Sequence, residues 1–230
     1  MIYLYNGDCL EIMDNFIKQD IKTNFSFTSP PYNRKRNDKY NNYEDTETEY
    51  YQLLTNSVDK MLAISKYVFF NIQKNYYNKK DVFKFIGKYS EKIIDIIIWT
   101  KSNPMPASGF NITNAYEFII ILSNTETSIK AKETYTKNHI ETNVYSENPY
   151  KKIHRAVMKP DVVTWFIKKF TTKNNTILDP FMGLGTTGII CKELDRNFLG
   201  IELDEEYFKI AQGRINDALE TEPLFKEEGR

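Results

Sequence analysis

Ile177-Leu178-Asp179-Pro180-Phe181-Met182-Gly183-Leu184-Gly185-Thr186-Thr187 begins apolar, passes a carboxylate, and then carries two glycines one residue apart. It reads as a strand that ends in a glycine loop and opens a helix. Glycines at such a turn let the backbone approach a ligand without a Cβ clash. A P-loop is excluded, because no Gly-Lys-Ser/Thr follows. Asp179 sets a carboxylate where a positively charged amino-acid moiety can sit. Glu202 ends the next strand, 23 residues further on, where a carboxylate accepts hydrogen bonds from ribose hydroxyls. The competing reading is a helix-capping Asp179 and a solvated Glu202.

Outward from that loop, apolar periodicity predicts strands over 2–5, 24–28, 66–72, 92–100, 116–122, 176–178 and 197–201. Helices are predicted over 10–17, 46–63, 76–89, 161–170, 186–194 and 204–219, the first with Asp8 as its N-cap. Strands alternating with helices imply a parallel, doubly wound α/β sheet in a single domain spanning 1–230. Ligands of such sheets bind at the carboxyl ends of strands. The apolar stretches 93–99 and 118–122 read as buried strands. Residues 124–153 are rich in Thr, Asn, Lys and Glu without apolar periodicity, and read as a surface excursion or small insertion.

A second loop falls at a strand end. Ser29-Pro30-Pro31-Tyr32 follows the strand at 24–28, and two prolines stop the ladder in a rigid turn. The exocyclic amino nitrogen of a base is a poor nucleophile, since its lone pair is delocalised into the ring. Two acceptors aimed at its hydrogens draw it toward tetrahedral geometry. Ser29 Oγ and the Pro30 carbonyl are such a pair. Tyr32 offers a π face for an extruded base, a stacking worth about 1–3 kcal/mol. The competing reading is an ordinary Pro-Pro turn with a core tyrosine.

Composition narrows the field. The 230 residues include 31 basic and 31 acidic side chains, a formal net charge of zero. Global charge therefore does not announce a nucleic-acid partner, and any DNA must meet a local basic face. Two cysteines, Cys9 and Cys191, form no CxxC pair. That argues against a disulfide scaffold or a metal site and fits a reducing, cytoplasmic setting. No apolar run reaches the roughly 18–20 residues of a membrane span, and the first residues are too short and polar for a signal peptide.

The two loops together resemble the catalytic and cofactor motifs of the amino-group DNA methyltransferases, which make N4-methylcytosine or N6-methyladenine. The catalytic motif comes first, 150 residues ahead of the cofactor motif, an order similar to the permuted β group. Gly7-Asp8-Cys9-Leu10-Glu11, Trp99-Thr100-Lys101-Ser102-Asn103-Pro104-Met105-Pro106 and Tyr116-Glu117-Phe118 also resemble family segments. The resemblance implies a Rossmann-like methyltransferase fold and S-adenosylmethionine as cofactor. It implies direct transfer without a covalent enzyme–base intermediate; neither cysteine follows a proline, so C5 chemistry through a thiolate is not expected. It further implies cofactor contacts from Asp8, Cys9, Asp179, Pro180, Phe181, Gly183, Gly185, Thr186 and Glu202, although Cys9 also reads as a small packing residue. Where the family often has His-Pro, this chain has His154-Arg155-Ala156-Val157-Met158-Lys159-Pro160. His154 or Lys159 is thus assignable to the methionine end of the cofactor, to a helix start, or to the DNA face.

Arg34, Lys35, Arg36 and Lys39, interleaved with Tyr40 beside the catalytic turn, suit phosphate contact over a flipped nucleotide, or form a solvated loop. Lys130, Lys132, Lys137, Lys151, Lys152 and Arg155 extend a candidate basic face through 124–153, which family placement makes the target-recognition insertion. Cytosine enzymes of the family more often carry Ser at position 29 and adenine enzymes Asp, so the expected product is N4-methylcytosine in double-stranded DNA, with adenine N6 the alternative. A homodimer and a cognate restriction endonuclease, as in a restriction-modification system, are partners open to such a chain.

Overall fold

The computed structural model describes residues 1–32, 47–107, 112–125, 128–145, 148–150, 153 and 157–218. Within these residues eight strands form one sheet: β1 (Ile2–Asn6), β2 (Thr23–Thr28), β3 (Ser65–Ile72), β4 (Ile93–Lys101), β5 (Tyr116–Leu122), β6 (His139–Thr142), β7 (Thr176–Asp179) and β8 (Asn197–Glu202), in the order β1-β8-β7-β2-β3-β5-β4-β6. Among the described residues six helices flank it: α1 (Cys9–Lys18), α2 (Glu47–Ile64), α3 (Lys79–Lys88), α4 (Pro160–Phe170), α5 (Thr186–Glu193) and α6 (Glu205–Asp217).

Strand alternation sorts side chains to two cores. Phe25, Phe27, Phe69 and Ile177 point to one face, where Val162 and Phe166 of α4, Ile189 of α5 and Ala211 of α6 cover them. Val68, Phe70, Leu178 and Leu199 point to the other, under Met13 and Phe16 of α1, Leu54 of α2 and Phe85 of α3. This is the doubly wound arrangement expected from the sequence, with one correction. β5 runs antiparallel to both β3 and β4. The described residues between β4 and β5 contain no helix, and without a crossover element two successive strands pair antiparallel.

Three further expectations change. The strand at 92–100 is only half buried along most of β4, with Ile97 and Trp99 its buried members; it lies next to the sheet edge, and its register with β5 shifts between Ile93 and Asp95. Residues 124–153 are not purely an excursion. They supply β6, which pairs parallel with β4, buries Ile140 and receives the Trp99 Nε1 hydrogen bond at Thr142 Oγ1, 2.9 Å. One apolar residue in a four-residue edge strand leaves no periodicity to read. Finally, α3 starts at Lys79 rather than near 76. The Asn75 side chain accepts from the backbone N–H groups of Tyr77 (2.8 Å) and Asn78 (3.0 Å), and Asn78 Oδ1 accepts from Asn75 N, 2.7 Å. Those local bonds replace the first helical turn.

Candidate active site

β2 and β7 are neighbours in the sheet, paired in parallel through Ser26 and Leu178. The loops at their carboxyl ends are therefore forced together. Ser29, Pro30, Pro31 and Tyr32 line the same cleft as Asp179, Pro180, Phe181, Gly183, Thr186 and Glu202, and Asp8 and Cys9 border it too. Gly185 does not line it. Leu53 of α2 and Val157 and Met158, ahead of α4, are lining residues that no sequence pattern marked.

A hydrogen bond joins the two motifs. Thr28 Oγ1, the last residue of β2, donates to Asp179 Oδ1 at 2.7 Å. Thr187 Oγ1 donates to Asp179 Oδ2 at 2.7 Å, and the Phe181 N–H donates to Oδ1 at 3.2 Å. Asp179 is thus more than a helix cap, since it clasps β2, the glycine loop and α5 together. Its surroundings are neutral donors, and burial pushes its carboxyl up from 3.8 to about 6. Gly183 and Gly185 both hold positive φ, +53° and +79°, a region that only glycine enters at no steric cost. A Cβ on Gly185 would also lie 3.0 Å from Ala211 Cβ and from Ile215 Cδ1.

Glu202 is not solvated. Its Oε2 accepts from the Gly183 N–H and its Oε1 from the Asp204 N–H, both at 2.9 Å. Burial raises its carboxyl above the usual range. Each oxygen keeps lone-pair capacity for a further donor, and Glu202 lines the cleft. Asp8 caps α1 as expected, accepting from Leu10 N (2.7 Å) and Glu11 N (3.1 Å). The neighbouring Cys9 thiol is buried and, by burial first and the Asp8 charge second, pushed up to about 12. It is no thiolate nucleophile, in keeping with the packing role.

On the catalytic side, Tyr32 is 8% exposed and its carbonyl is clasped by the amides of Asn75 (2.7 Å) and Asn78 (2.9 Å). Its hydroxyl meets Ser29 Oγ at 2.7 Å, donates to Glu117 Oε2 at 2.8 Å, and receives Asn71 Nδ2 at 2.6 Å. Asn71 Nδ2 also reaches Glu117 Oε2 at 2.9 Å and Ser29 Oγ at 3.3 Å. Lys101 pairs with the other oxygen of Glu117. Asn71, Lys101 and Glu117 were not expected as site residues. Lys101 and Glu117 fall in segments that resemble the family without a role attached, and the remaining signal is a polar side chain inside an apolar strand, as in Phe69-Phe70-Asn71-Ile72 and Glu117-Phe118-Ile119.

Lys159 sits at the start of α4, 8% exposed, bonded to the Asn143 carbonyl (3.1 Å) and paired with Asp161 Oδ2 (2.9 Å). Its backbone occupies the N-cap of α4, and it is not among the residues that line the cleft. Arg34, Lys35, Arg36, Lys39, Lys151, Lys152, His154 and Arg155 lie outside the described residues. No helix among the described residues is long and apolar enough to cross a membrane, and no cluster among them has the makings of a metal site.

A mixed sheet with helices on both faces and two motif loops in one cleft at its carboxyl edge defines a Rossmann-like methyltransferase class. Residues 23–213 match the model of the DNA methylase family that covers N6 and N4 enzymes, and the chain belongs to that family. Among solved structures, M1.HpyAVI in complex with SAM superposes with a TM-score of 0.70 at 26% identity, covering 94% of this chain and 100% of that one. The PvuII cytosine-N4-specific DNA methyltransferase superposes at 0.72, covering 100% of this chain and 88% of that one, but at 18% identity this speaks for the fold alone. Among curated relatives, the type II methyltransferase M.SmaI of Serratia marcescens is 36% identical over 130 residues, 52% of this chain and 44% of its own length. M.MwoI of Methanothermobacter wolfeii is 30% identical over 221 residues, 85% of this chain and 32% of its own. The chain thus spans about a third to a half of the length of these relatives.

Proposed function

We propose that this chain transfers a methyl group from S-adenosylmethionine to the exocyclic N4 of a flipped cytosine in double-stranded DNA. The observation that carries the proposal is the shared cleft. Ser29 and the Asp179–Thr187 loop face one space, joined by the Thr28–Asp179 hydrogen bond.

The lining suits the cofactor. Asp179 and Glu202 offer carboxylates for a cationic amino group and for ribose hydroxyls, while Pro180, Phe181 and Leu53 offer apolar surface. Asp8 and Cys9 border the adenine end, and Gly183 and Thr186 the backbone of the loop; Gly185 acts by shaping that loop. When bound, S-adenosylmethionine supplies a methyl group on a positively charged sulfur. Ser29 Oγ and the Pro30 carbonyl accept the two amino hydrogens of the base, which turns the nitrogen lone pair out of the ring. Tyr32 presents its ring to the base, with its hydroxyl anchored behind.

Arg34, Lys35, Arg36 and Lys39 hold phosphates beside the flipped nucleotide, and 124–153 reads the target, aided by a second copy of the chain. A restriction endonuclease of the same target completes the system, as the type II names of the relatives suggest. DNA incubated with the protein and S-adenosylmethionine, digested to nucleosides and analysed by mass, is expected to contain N4-methyldeoxycytidine. N6-methyldeoxyadenosine would shift the substrate to adenine. Unmodified DNA would end the proposal.

A further inference from the structure

Resting on that reading, we propose that Glu117, held by Lys101, is a positioning residue that orients the Ser29 hydroxyl so that its lone pair faces the cleft. At the 2.7 Å contact between Ser29 Oγ and Tyr32 Oη, geometry alone allows either oxygen to donate. The choice decides whether Ser29 works. As an acceptor, Ser29 must keep its own proton turned away from the base amino group. With that proton in the cleft, two hydrogen-bond donors would face each other.

Glu117 removes the ambiguity. It is 4% exposed and ion-paired with Lys101, and an ionised carboxylate only accepts. The 2.8 Å contact with Tyr32 Oη therefore consumes the tyrosine proton. Tyr32, having one proton, can then only accept from Ser29. Asn71 enforces the same direction. Its Nδ2 faces Glu117 Oε2 at 2.9 Å, where its carbonyl oxygen would be repelled, and it donates to Tyr32 Oη at 2.6 Å. The two acceptor sites of the phenol are thereby filled by Ser29 and Asn71. Ser29 is left with its proton directed at Tyr32, a long contact from Asn71 at 3.3 Å, and a remaining lone pair. Ser29 is half-buried on the cleft wall, Tyr32 lines the same cleft, and Asn71 and Glu117 are buried and absent from its lining.

The chain of donors thus runs Ser29 to Tyr32 to Glu117, across strand ends that adjoin in the sheet: β2 beside β3, β3 beside β5, β5 beside β4. Tyr32 on this account has two duties, a ring for the base and a hydroxyl that transmits direction. In E117Q the amide oxygen stays with Lys101 and the amide N–H₂ faces Tyr32. The phenol proton is driven toward Ser29, and the Ser29 proton toward the cleft.

The test is single-turnover methyl transfer to DNA by wild type, Y32F, E117Q and Y32F/E117Q, with affinities for S-adenosylmethionine and DNA measured alongside. Both single variants are expected to slow transfer about 10- to 100-fold, with both affinities within about twofold of wild type. Because the residues act as one unit, the double variant should be no slower than the slower single. Y32F keeps the ring, so it remains informative even if E117Q fails to fold. Wild-type transfer with an unimpaired Y32F, or a double variant slowed by the product of the singles, overturns the orientation and leaves the methyltransferase reading standing. If wild type leaves DNA unmethylated, the orientation falls with the reading.

Discussion

Two buried carboxylates flank the cleft, and their surroundings differ in kind. Asp179 is held by two threonine hydroxyls and a backbone N–H, and among the described residues no cation pairs with it. Glu117 is held by a tyrosine hydroxyl, an asparagine amide and the Lys101 ammonium. A carboxylate surrounded by neutral donors stays costly to ionise and is a natural counterpart for a cation from outside the protein. One already neutralised by a lysine has no such use and is better placed to fix the polarity of a hydrogen-bond chain. On the proposed reading the difference separates the two halves of the site, Asp179 serving cofactor binding and Glu117 the geometry at the reacting atom.

Substitutions can break that division. Ser29→Ala, at the end of the Glu117 chain, should show the largest effect. A fall in transfer rate of at least about 100-fold is expected, with S-adenosylmethionine affinity unchanged within a few fold, read by single-turnover assay and calorimetry. Full activity in this variant would remove Ser29 from the chemistry. Asp179→Ala should do the reverse. It leaves the Thr28 and Thr187 hydroxyls without their acceptor, at about 1–3 kcal/mol each, and weakens cofactor binding more than it slows transfer once cofactor is saturating. Urea denaturation and the split between KM and kcat check both parts.

Acidity sharpens the same contrast. The Asp179 carboxyl lies near 3.8 unfolded and is raised to about 6 in the fold, so the native state binds the proton more tightly. Its stabilising contribution is complete below about pH 3.8 and is lost as pH rises through about 6, a change of about 3 kcal/mol. Wild type should therefore lose more stability than Asp179→Asn between pH 5 and pH 8 in parallel urea titrations. Cofactor affinity should move oppositely, since a cationic ligand prefers the ionised form. It should fall by up to about tenfold per pH unit below 6 in wild type and stay flatter in Asp179→Asn. Smallest is Gly185→Ala. Its φ of +79° and the 3.0 Å approach to Ala211 predict a loss of about 1–3 kcal/mol, visible as a lower melting temperature, and, since Gly185 shapes the cofactor loop, a weaker cofactor affinity with little change in the rate at saturating cofactor.

Both motif loops could be read from the chain because each is local. Proline in Ser29–Tyr32 and glycine in Asp179–Thr187 restrict or free the backbone at fixed positions, whatever packs around them. The same holds for the Asp8 cap and for strands whose apolar residues alternate. β6 was not legible because pairing with β4, rather than its own pattern, makes it a strand. The reversal of β5 was hidden for a similar reason: strand direction depends on what connects it, and 102–115 carries no periodic signature.

The sequence by itself determined that two motifs resembling those of the amino-group DNA methyltransferases sit at strand ends, because prolines, glycines and apolar alternation act locally. Only the tertiary structure decided that β2 and β7 are neighbours, that Thr28 and Asp179 join their loops, and that Asn71, Glu117 and Lys101 stand behind Ser29. Those residues come from strands far apart in the chain. Their meeting is a property of sheet order and register, which no local preference encodes.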